Sequence, residues 1–282
     1  MPIQLTKIAV IASLVLGSTA VTATADTITE RLAAGDPIRI GFSNVPIWGY
    51  PDENGEAKGF VNAIALGILA EMGITDVETT VTDWAGLIPG LQAGRYDLIT
   101  GGLYILNSRC ANIAFSEPIG SMGDAFIVPA GNPRNINNYK DVLALEDAVL
   151  VTPTGYNSVE AARREGLDDD QLMQVPGPSE VLAAVRAGRA DAGAVTYFEA
   201  DFLAGESDGT IDVTDPSALP EWTLNWVGIG MRFDDSAFMA DFNTALAKYV
   251  GTEEMLASVE EYGFTAAHLP GDKSTEWVCA NR

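Results

Sequence analysis

The chain has 282 residues and carries 16 Lys and Arg side chains against 39 Asp and Glu side chains, a formal net charge of −23. So large a negative charge repels nucleic-acid phosphates and anionic lipid headgroups, which argues against a nucleic-acid partner or a membrane-surface role. One His and two Cys do not furnish an ordinary zinc site, and no G-x-S-x-G motif precedes His268 to complete a hydrolytic triad. We expect no metal and no cofactor.

The first 25 residues have the pattern of a secretory signal peptide. Lys7 is their only charge, residues 8–16 are apolar, and residues 23–25 are Ala-Thr-Ala, an A-x-A cleavage pattern. The apolar run is too short to span a bilayer, which takes about 20 residues. We expect a periplasmic mature protein that begins at Asp26, and a buried N-terminal strand is the alternative.

Strand-like and helix-like segments then alternate along the chain. The first half predicts strands at 38–42, 77–81, 97–100 and 125–128 and helices at 60–72 and 84–93. The second half predicts strands at 148–151, 173–175, 190–195 and 226–231 and helices at 158–166, 180–187 and 237–250. The helices are indicated by apolar residues at helical spacing, several of them ended by a glycine.

One motif occurs in both halves of the chain. Residues 87–97 and 181–191 each contain an amphipathic helix followed by Ala-Gly-Arg-x-Asp and then a strand. The glycine supplies the C-cap of the helix, and the chain turns directly into a buried strand. The repeat predicts two α/β lobes, and a cleft between two lobes is a favoured place for a ligand.

The two cysteines, Cys110 and Cys279, are far apart in the sequence. In an oxidising compartment, two cysteines most simply form one disulfide. A bond closing so long a loop is worth roughly 4–5 kcal/mol in the loop-entropy model. Two free buried thiols are the alternative.

Several short motifs follow one another along nearly the whole mature chain. They are Ile-Gly-Phe at 40–42, Gly55 to Phe60, Asp83-Trp84 before Leu-Ile-Pro-Gly-Leu at 87–91, Gly-Arg-Tyr-Asp at 94–97, Arg109, Phe-Ser-Glu-Pro at 115–118, and Gly-Arg-Ala-Asp-Ala at 188–192. In their order and spacing they resemble the periplasmic solute-binding proteins of ABC importers, in the amino-acid-type branch (family 3).

That resemblance implies an α/β fold of two lobes, the periplasmic-binding-protein fold of type II. Each lobe is a mixed sheet flanked by helices, and the ligand lies in the cleft between the lobes. The implied boundaries place 26–127 and 229–282 in lobe 1 and 128–228 in lobe 2.

A narrower resemblance is to ectoine/hydroxyectoine-binding proteins. It is carried by residues 41–44 through 49–50, Arg109-Cys110, 262–264, 269–273 and Cys279. Such proteins enclose the ligand's cationic ring in aromatic side chains and hold its carboxylate with an arginine.

The resemblance assigns a role to five positions of the first lobe. It implies aromatic contacts from Trp48, Trp84 and Tyr104, a carboxylate contact from Arg109, and a backbone donor or spacer at Gly102. Aromatic faces do suit a delocalised cation, and a guanidinium fork suits a carboxylate. The alternatives are core packing for the aromatic residues and a surface ion pair for Arg109.

In the second lobe, Gly-Tyr-Asn-Ser at 155–158 falls where the family places a loop at a helix N-terminus. The N–H groups of such a loop are a natural carboxylate site, and Tyr156 and Asn157 would add side-chain contacts. An ordinary N-cap by Asn157 or Ser158 is the alternative.

Three positions depart from the patterns of the family. Thr196 stands where amino-acid binders usually have an Asp for the α-ammonium group, and Leu106 replaces a Thr common before Arg109. Both changes disfavour a simple α-amino acid. Val45 stands where an ectoine binder would have an acidic residue, which makes a methylated ammonium compound an alternative ligand.

We expect a non-enzymatic, monomeric binding protein that closes around a small zwitterion and delivers it to the transmembrane subunits of an ABC permease. An amino-acid or betaine-like binder of the same family is the first alternative. A cyclohexadienyl dehydratase-like enzyme, with Glu199 or Glu117 as general acid or base, and a receptor sensing domain are more distant ones. The three adjacent carboxylates at 168–170 lack the spacing of a calcium loop and predict a solvated turn.

Overall fold

The computed structural model describes residues 27–282, and the predicted signal peptide at 1–25 lies outside them. The described residues form two α/β lobes, each built on a five-stranded mixed sheet, as the sequence predicts. An antiparallel pair of strands, Gly120–Met122 with Asn225–Val227, connects the lobes. None of the helices between residues 27 and 282 is long and apolar enough to cross a membrane.

The first lobe contains the beginning and the end of the described chain. Its sheet has the spatial order Val77–Val81, Ile38–Phe42, Leu98–Ile99, Gly230–Met231 and Ala114–Phe115. The first three strands are parallel, and Gly230–Met231 is antiparallel to both of its neighbours. A small hairpin pairs Tyr50–Pro51 with Ala57–Lys58.

Helices cover this sheet and extend into the C-terminal tail. The α-helices are Ile28–Ala33, Phe60–Glu71, Leu87–Gln92, Asn107–Cys110, Ser236–Tyr249, Glu253–Val259 and Thr275–Asn281. Single turns of 3-10 helix occur at Trp84–Gly86, Phe233–Asp235, Glu260–Tyr262 and Ala266–His268.

The second lobe is the middle of the chain. Its sheet has the order Leu172–Val175, Leu150–Pro153, Ala192–Thr196, Asp124–Pro129 and Ile211–Val213. Its α-helices are Tyr139–Leu143, Asn157–Glu165, Pro178–Arg186 and Tyr197–Gly205, with 3-10 turns at Pro216–Ala218 and Glu221–Thr223. The expected boundary between 127 and 128 divides the strand Asp124–Pro129, which lies wholly in the second sheet. We therefore propose that the chain enters the second lobe at residue 123.

Most of the predicted elements are confirmed, but the stretch predicted as one strand at 226–231 is two strands. Asn225–Val227 pairs with the connecting strand, whereas Gly230–Met231 joins the first sheet. The chain changes partners at Gly228, where an added Cβ would lie 3.0 Å from the Ile105 side chain. The sequence shows the apolar run but not the change of partner.

The Ala-Gly-Arg-x-Asp repeat has the same structural role in both lobes. Asp97 accepts hydrogen bonds from the backbone N–H and Nε of Arg39, both at 3.0 Å. Asp191 accepts from the backbone N–H of Val149 and from Nη1 of Arg134, both at 2.9 Å. In each lobe the aspartate thus ties the turn of the motif to the neighbouring strand and to an arginine.

Asp97 is the more deeply buried of the two, with 1% of its surface exposed. Burial raises the pKa of its carboxyl, but hydrogen bonds from Arg39 and the charges of Arg39 and Arg232 outweigh that effect and hold the pKa below its usual 3.8. The stabilisation of the fold by the Asp97 carboxylate is therefore fully present above the unfolded-state pKa of the group. It is lost as the pH falls through the lower folded-state pKa.

We predict that Asp97→Asn lowers the free energy of unfolding at neutral pH by up to about 3 kcal/mol, because it leaves partly buried arginine donors without their counter-charge. The difference from the unsubstituted protein should shrink as the pH falls below 3.8, the usual pKa of the group. Urea unfolding at several pH values measures both effects. Asp147→Asn is the control, since Asp147 pairs with Arg134 while its side chain is 82% exposed. Equal effects of the two substitutions would contradict the prediction.

Candidate functional site

A tight loop after the first strand places Trp48 in the cleft. Residues 45–49 close through a pair of backbone hydrogen bonds between the two ends of the loop. Ile47 within it has a φ of 72°, a left-handed conformation that is rare for a β-branched residue. The carbonyls of Ile47 and Trp48 accept from the N–H groups of Phe60 and Val61 at 2.8 and 3.1 Å. The loop thereby satisfies donors in the first turn of a helix.

Gly102 allows this indole ring to lie against the backbone. Its φ is 89°, and an added Cβ would lie 2.4 Å from Cε3 of Trp48. The glycine is thus a spacer. Trp48 itself is 2% exposed, and its ring centroid lies 4.8 Å from that of Phe60 and 5.6 Å from that of Tyr104. Trp48 therefore both packs in the core and forms part of the cleft wall.

Arg109 projects into the cleft and is 7% exposed, so the alternative of a surface ion pair is wrong. Its Nη1 donates to the carbonyl of Tyr104 at 2.9 Å, and its Nη2 donates across the cleft to the carbonyl of Gly155 at 2.8 Å. Its guanidinium carbon lies 5.8 Å from the ring centroid of Trp84. Burial lowers the pKa of Arg109 to about 10, which leaves the group charged at neutral pH.

The C-terminal tail holds the short helix that carries Arg109. The predicted disulfide between Cys110 and Cys279 is confirmed, with a Cα–Cα distance of 5.9 Å. Asn107 adds two hydrogen bonds, from its backbone N–H to the carbonyl of Arg282 at 2.8 Å and from Nδ2 to the carbonyl of Cys279 at 3.0 Å. Cys110, the residue that follows Arg109 in the sequence, is thus covalently anchored to the tail.

The loop before helix Asn157–Glu165 brings Tyr156 and Asn157 to the cleft from the second lobe. The ring centroid of Tyr156 lies 4.8 Å from that of Trp84. The Trp84 indole N–H donates to the carbonyl of Gly155 at 3.3 Å. The N-cap position is Tyr156, and no side chain caps this helix, so the ordinary N-cap interpretation of Asn157 is wrong.

The Asn157 side chain points toward a buried acid instead. Its Nδ2 donates to Oδ2 of Asp124, which is 1% exposed. The amide nitrogen of Asn157, rather than its oxygen, thus faces the acid. Burial raises the pKa of the Asp124 carboxyl well above 3.8, although the hydrogen bond from Asn157 lowers it.

Thr196 and Glu199 form a capping box at the start of helix Tyr197–Gly205. The Thr196 N–H and hydroxyl donate to Oε2 of Glu199 at 3.0 and 2.8 Å, and the Tyr156 hydroxyl donates to Oε1 at 2.7 Å. Across the cleft, Nε1 of Trp48 donates to the Thr196 hydroxyl oxygen at 3.0 Å. Burial raises the pKa of the Glu199 carboxyl, and these hydrogen bonds oppose the rise.

The structure brings all of the expected ligand-binding residues to one cavity. They are Trp48, Trp84, Gly102, Tyr104, Arg109, Tyr156, Asn157 and Thr196. Val45, Gly101 and Glu199 complete the lining. The cavity has a volume of about 10 Å³, which is room for about one water molecule. A larger solute therefore requires the lobes to separate or the lining side chains to move.

The two residues considered as a general acid or base, Glu199 and Glu117, lie in different surroundings. Glu199 lines the cavity, and the Thr-x-x-Glu pattern at 196–199 is a capping-box signal that the sequence analysis did not use. Glu117 accepts from the N–H of Thr275 at 3.0 Å and so anchors the C-terminal helix. At 168–170, Asp168 accepts two backbone N–H groups of an exposed turn, and residues 27–282 contain no cluster of potential metal ligands.

Comparison with known sequences gives a family match over most of the chain. Residues 38–265 match the bacterial extracellular solute-binding proteins, family 3. A relative from Sinorhizobium fredii, the probable amino-acid ABC transporter periplasmic-binding protein y4tE, is 31% identical over 260 residues, which cover 89% of this chain and 86% of the relative. The octopine-binding periplasmic protein of Rhizobium meliloti is 25% identical over 221 residues, 69% of this chain and 72% of the relative.

Solved structures give the same fold. EhuB in complex with hydroxyectoine superposes with a TM-score of 0.81 at 30% identity, covering 90% of this chain and 98% of EhuB. The ancestral amino acid-binding protein AncCDT-1, a precursor of cyclohexadienyl dehydratase, superposes with a TM-score of 0.72 at 25% identity, covering 83% and 98% of the two chains.

We predict that Gly102→Ala lowers the stability and changes the fluorescence of the Trp48 indole, because the new Cβ would displace that ring. Gly131→Ala is the matched control, since Gly131 also has a positive φ, 77°, but has no neighbour within 4 Å of an added Cβ. The control should lose only the cost of a left-handed alanine, about 1–2 kcal/mol. Thermal unfolding and emission spectra measure the difference, and equal losses in both variants would contradict a spacer role for Gly102.

Proposed function

Because this chain belongs to the bacterial extracellular solute-binding proteins of family 3, we propose that it captures a small zwitterion of the ectoine or hydroxyectoine type in the periplasm. The captured solute is delivered to the permease of an ABC importer. The observation that carries the proposal is a buried guanidinium, that of Arg109, beside the aromatic rings of a cleft between two lobes.

Arg109 is suited to exchange one of its partners for a ligand carboxylate. Its bond to Tyr104 lies within the first lobe, whereas its bond to Gly155 reaches the second lobe and must break when the lobes separate. A carboxylate is a stronger partner for a guanidinium than a neutral carbonyl, because it carries the opposite charge and can accept two parallel N–H bonds. The ligand would therefore take the place of the Gly155 carbonyl.

The aromatic walls supply the complementary half of the site. Trp48 and Tyr104 come from the first lobe and lie edge to face, with centroids 5.6 Å apart. Trp84 and Tyr156 face each other across the cleft at 4.8 Å. A delocalised cation against such faces gains roughly 0.5–2 kcal/mol per ring, depending on its desolvation. The similarity to EhuB, solved with hydroxyectoine, supports a ligand of this type.

Closure of the lobes would complete the site. Besides the contacts of Arg109 and Trp48, the Ser108 hydroxyl donates to Glu160 of the second lobe at 2.7 Å. A ligand that contacts both lobes binds the closed arrangement more tightly than the open one, and this difference shifts the population toward closure.

An amino-acid ligand is the second candidate, and Glu199 favours it. Thr196 lacks a negative charge for an α-ammonium group, but the Glu199 carboxylate lies beside it and lines the same cavity. The relative from Sinorhizobium fredii is named as an amino-acid transporter component. Three hydrogen bonds hold the Glu199 carboxylate, which suits a binding wall better than a group that must transfer protons during turnover.

We predict that refolded, ligand-free protein binds ectoine or hydroxyectoine in a calorimetric titration, and that glycine betaine, arginine and glutamine bind more weakly. Tight binding of arginine or glutamine without ectoine binding would favour the second candidate and contradict the first. Chemical turnover of any of these solutes would contradict both.

We predict that Arg109→Ala and Trp84→Ala each weaken binding of the preferred solute at least tenfold, which is about 1.4 kcal/mol. Loss of the guanidinium removes the carboxylate contact, and loss of the indole removes one aromatic face. Arg163→Ala is the control, because Arg163 pairs with Asp169 on the exposed side of the second lobe. Unchanged affinity in both cleft variants would move the site elsewhere.

A further inference from the structure

Two unpaired oxygen atoms are buried beside the cleft. Among the residues that the structure describes, the Tyr104 hydroxyl and Oδ1 of Asp124 are buried side-chain atoms without a hydrogen-bond partner. A buried polar group left in this condition costs about 1–3 kcal/mol. Tyr104 lines the cavity from the first lobe, and Asp124 belongs to the second. Their position at the interlobe site points to a bound ligand, rather than another part of the protein, as their hydrogen-bond partner.

Asp124 lies directly behind the cavity wall. It is the residue opposite Thr196 in the antiparallel pair of strands, and its other oxygen accepts from the Asn157 amide. Thr196 and Asn157 both line the cavity. The pKa of the Tyr104 hydroxyl is raised by burial and, among charged groups, most strongly by Asp124. Tyr104 lines the cavity directly, and Asp124 contacts or pairs with two of its lining residues, so both unpaired atoms lie at the same cavity.

We propose that the Tyr104 hydroxyl and the Asp124 carboxylate form a subsite for the cationic end of the ligand, and that this subsite requires N–H donors on the cation. The proposal rests on the proposed function and adds to it two residue roles. Both atoms can accept a hydrogen bond, which an amidinium, a guanidinium or an ammonium group can donate. A quaternary ammonium group has no N–H and leaves both oxygens unpaired.

The charges of the cleft agree with this division. Arg109 provides the positive charge for a ligand carboxylate, and Glu199 already accepts hydrogen bonds from Tyr156 and Thr196. Asp124 accepts from Asn157 through one oxygen and has the other free. A ligand cation at this point would replace the missing partner of a buried carboxylate. Methylated ammonium compounds, which the valine at position 45 made an alternative, are then the poorer ligands.

The test uses two small cations as probes of this subsite alone. Ligand-free protein is titrated with acetamidinium chloride, which has N–H donors, and with tetramethylammonium chloride, which has none. Tryptophan fluorescence reports binding, since the Trp48 ring packs against Tyr104. Sodium chloride at equal ionic strength is the blank. We expect acetamidinium to bind at least about tenfold more tightly, the scale of one hydrogen bond to a charged group.

Variants separate a ligand contact from a structural role. Tyr104→Phe and Asp124→Asn should each weaken acetamidinium binding at least about tenfold. Tyr104→Phe should not lower the Tm of the ligand-free protein, because the hydroxyl it removes has no partner there. Tyr139→Phe is the matched control, since the Tyr139 hydroxyl is also buried and unpaired but lies in the core of the second lobe, against Phe126. It should leave acetamidinium binding unchanged.

Three results would overturn the subsite: equal or tighter binding of tetramethylammonium, no binding of either cation, or full acetamidinium affinity in Tyr104→Phe. If Asp124→Asn fails to fold, Tyr104→Phe still decides the question. Acetamidinium binding as expected, with no binding of ectoine, hydroxyectoine or any amino acid, would support the subsite and reject the proposed function.

Discussion

The two lobes meet on a buried positive charge, and much of the cleft is arranged around it. Arg109 is next to the disulfide that fixes its helix to the C-terminal tail, and its guanidinium reaches a carbonyl in each lobe. A buried charge is costly unless it is paired and hydrogen-bonded. Two neutral carbonyls satisfy its donors only in part, and burial accordingly lowers its pKa. A ligand carboxylate, as we propose, would complete the pairing of this guanidinium.

Glu199 organises the opposite wall by distributing its two carboxylate oxygens. One oxygen accepts from the Tyr156 hydroxyl, and the other accepts from Thr196, which in turn accepts from the indole of Trp48. Aromatic rings of both lobes thus depend on one acid. Only the bond from Trp48 crosses the cleft, and a neutral hydrogen bond of this kind contributes about 0.5–1.5 kcal/mol net. Separation of the lobes would break this contact and leave the bonds of Glu199 within the second lobe intact.

Much of the fold could be predicted because apolar spacing and glycine positions are local signals. Helix Phe60–Glu71 and the strands of both repeats follow from them directly. Six of the α-helices in the described residues were not predicted, and the three longest of them are Tyr197–Gly205, Glu253–Val259 and Thr275–Asn281. Each of these three begins after a Ser or Thr that accepts a backbone N–H, a cap signal that is short and common in loops. The strand Asp124–Pro129 was predicted, but its place in the second sheet was not, because an apolar run does not show which strands it pairs with.

The two-lobed α/β architecture, the disulfide and the set of residues that the structure gathers around one cavity were all predicted from the sequence. These predictions used composition, spacing and a family pattern, all of which are read directly from the order of residues. The folded chain alone shows that Asp124 lies behind the cavity wall and that Arg109 bonds to a carbonyl of each lobe. The physical reason is distance along the chain: these contacts arise from strand register and lobe closure, which join residues that no local pattern connects.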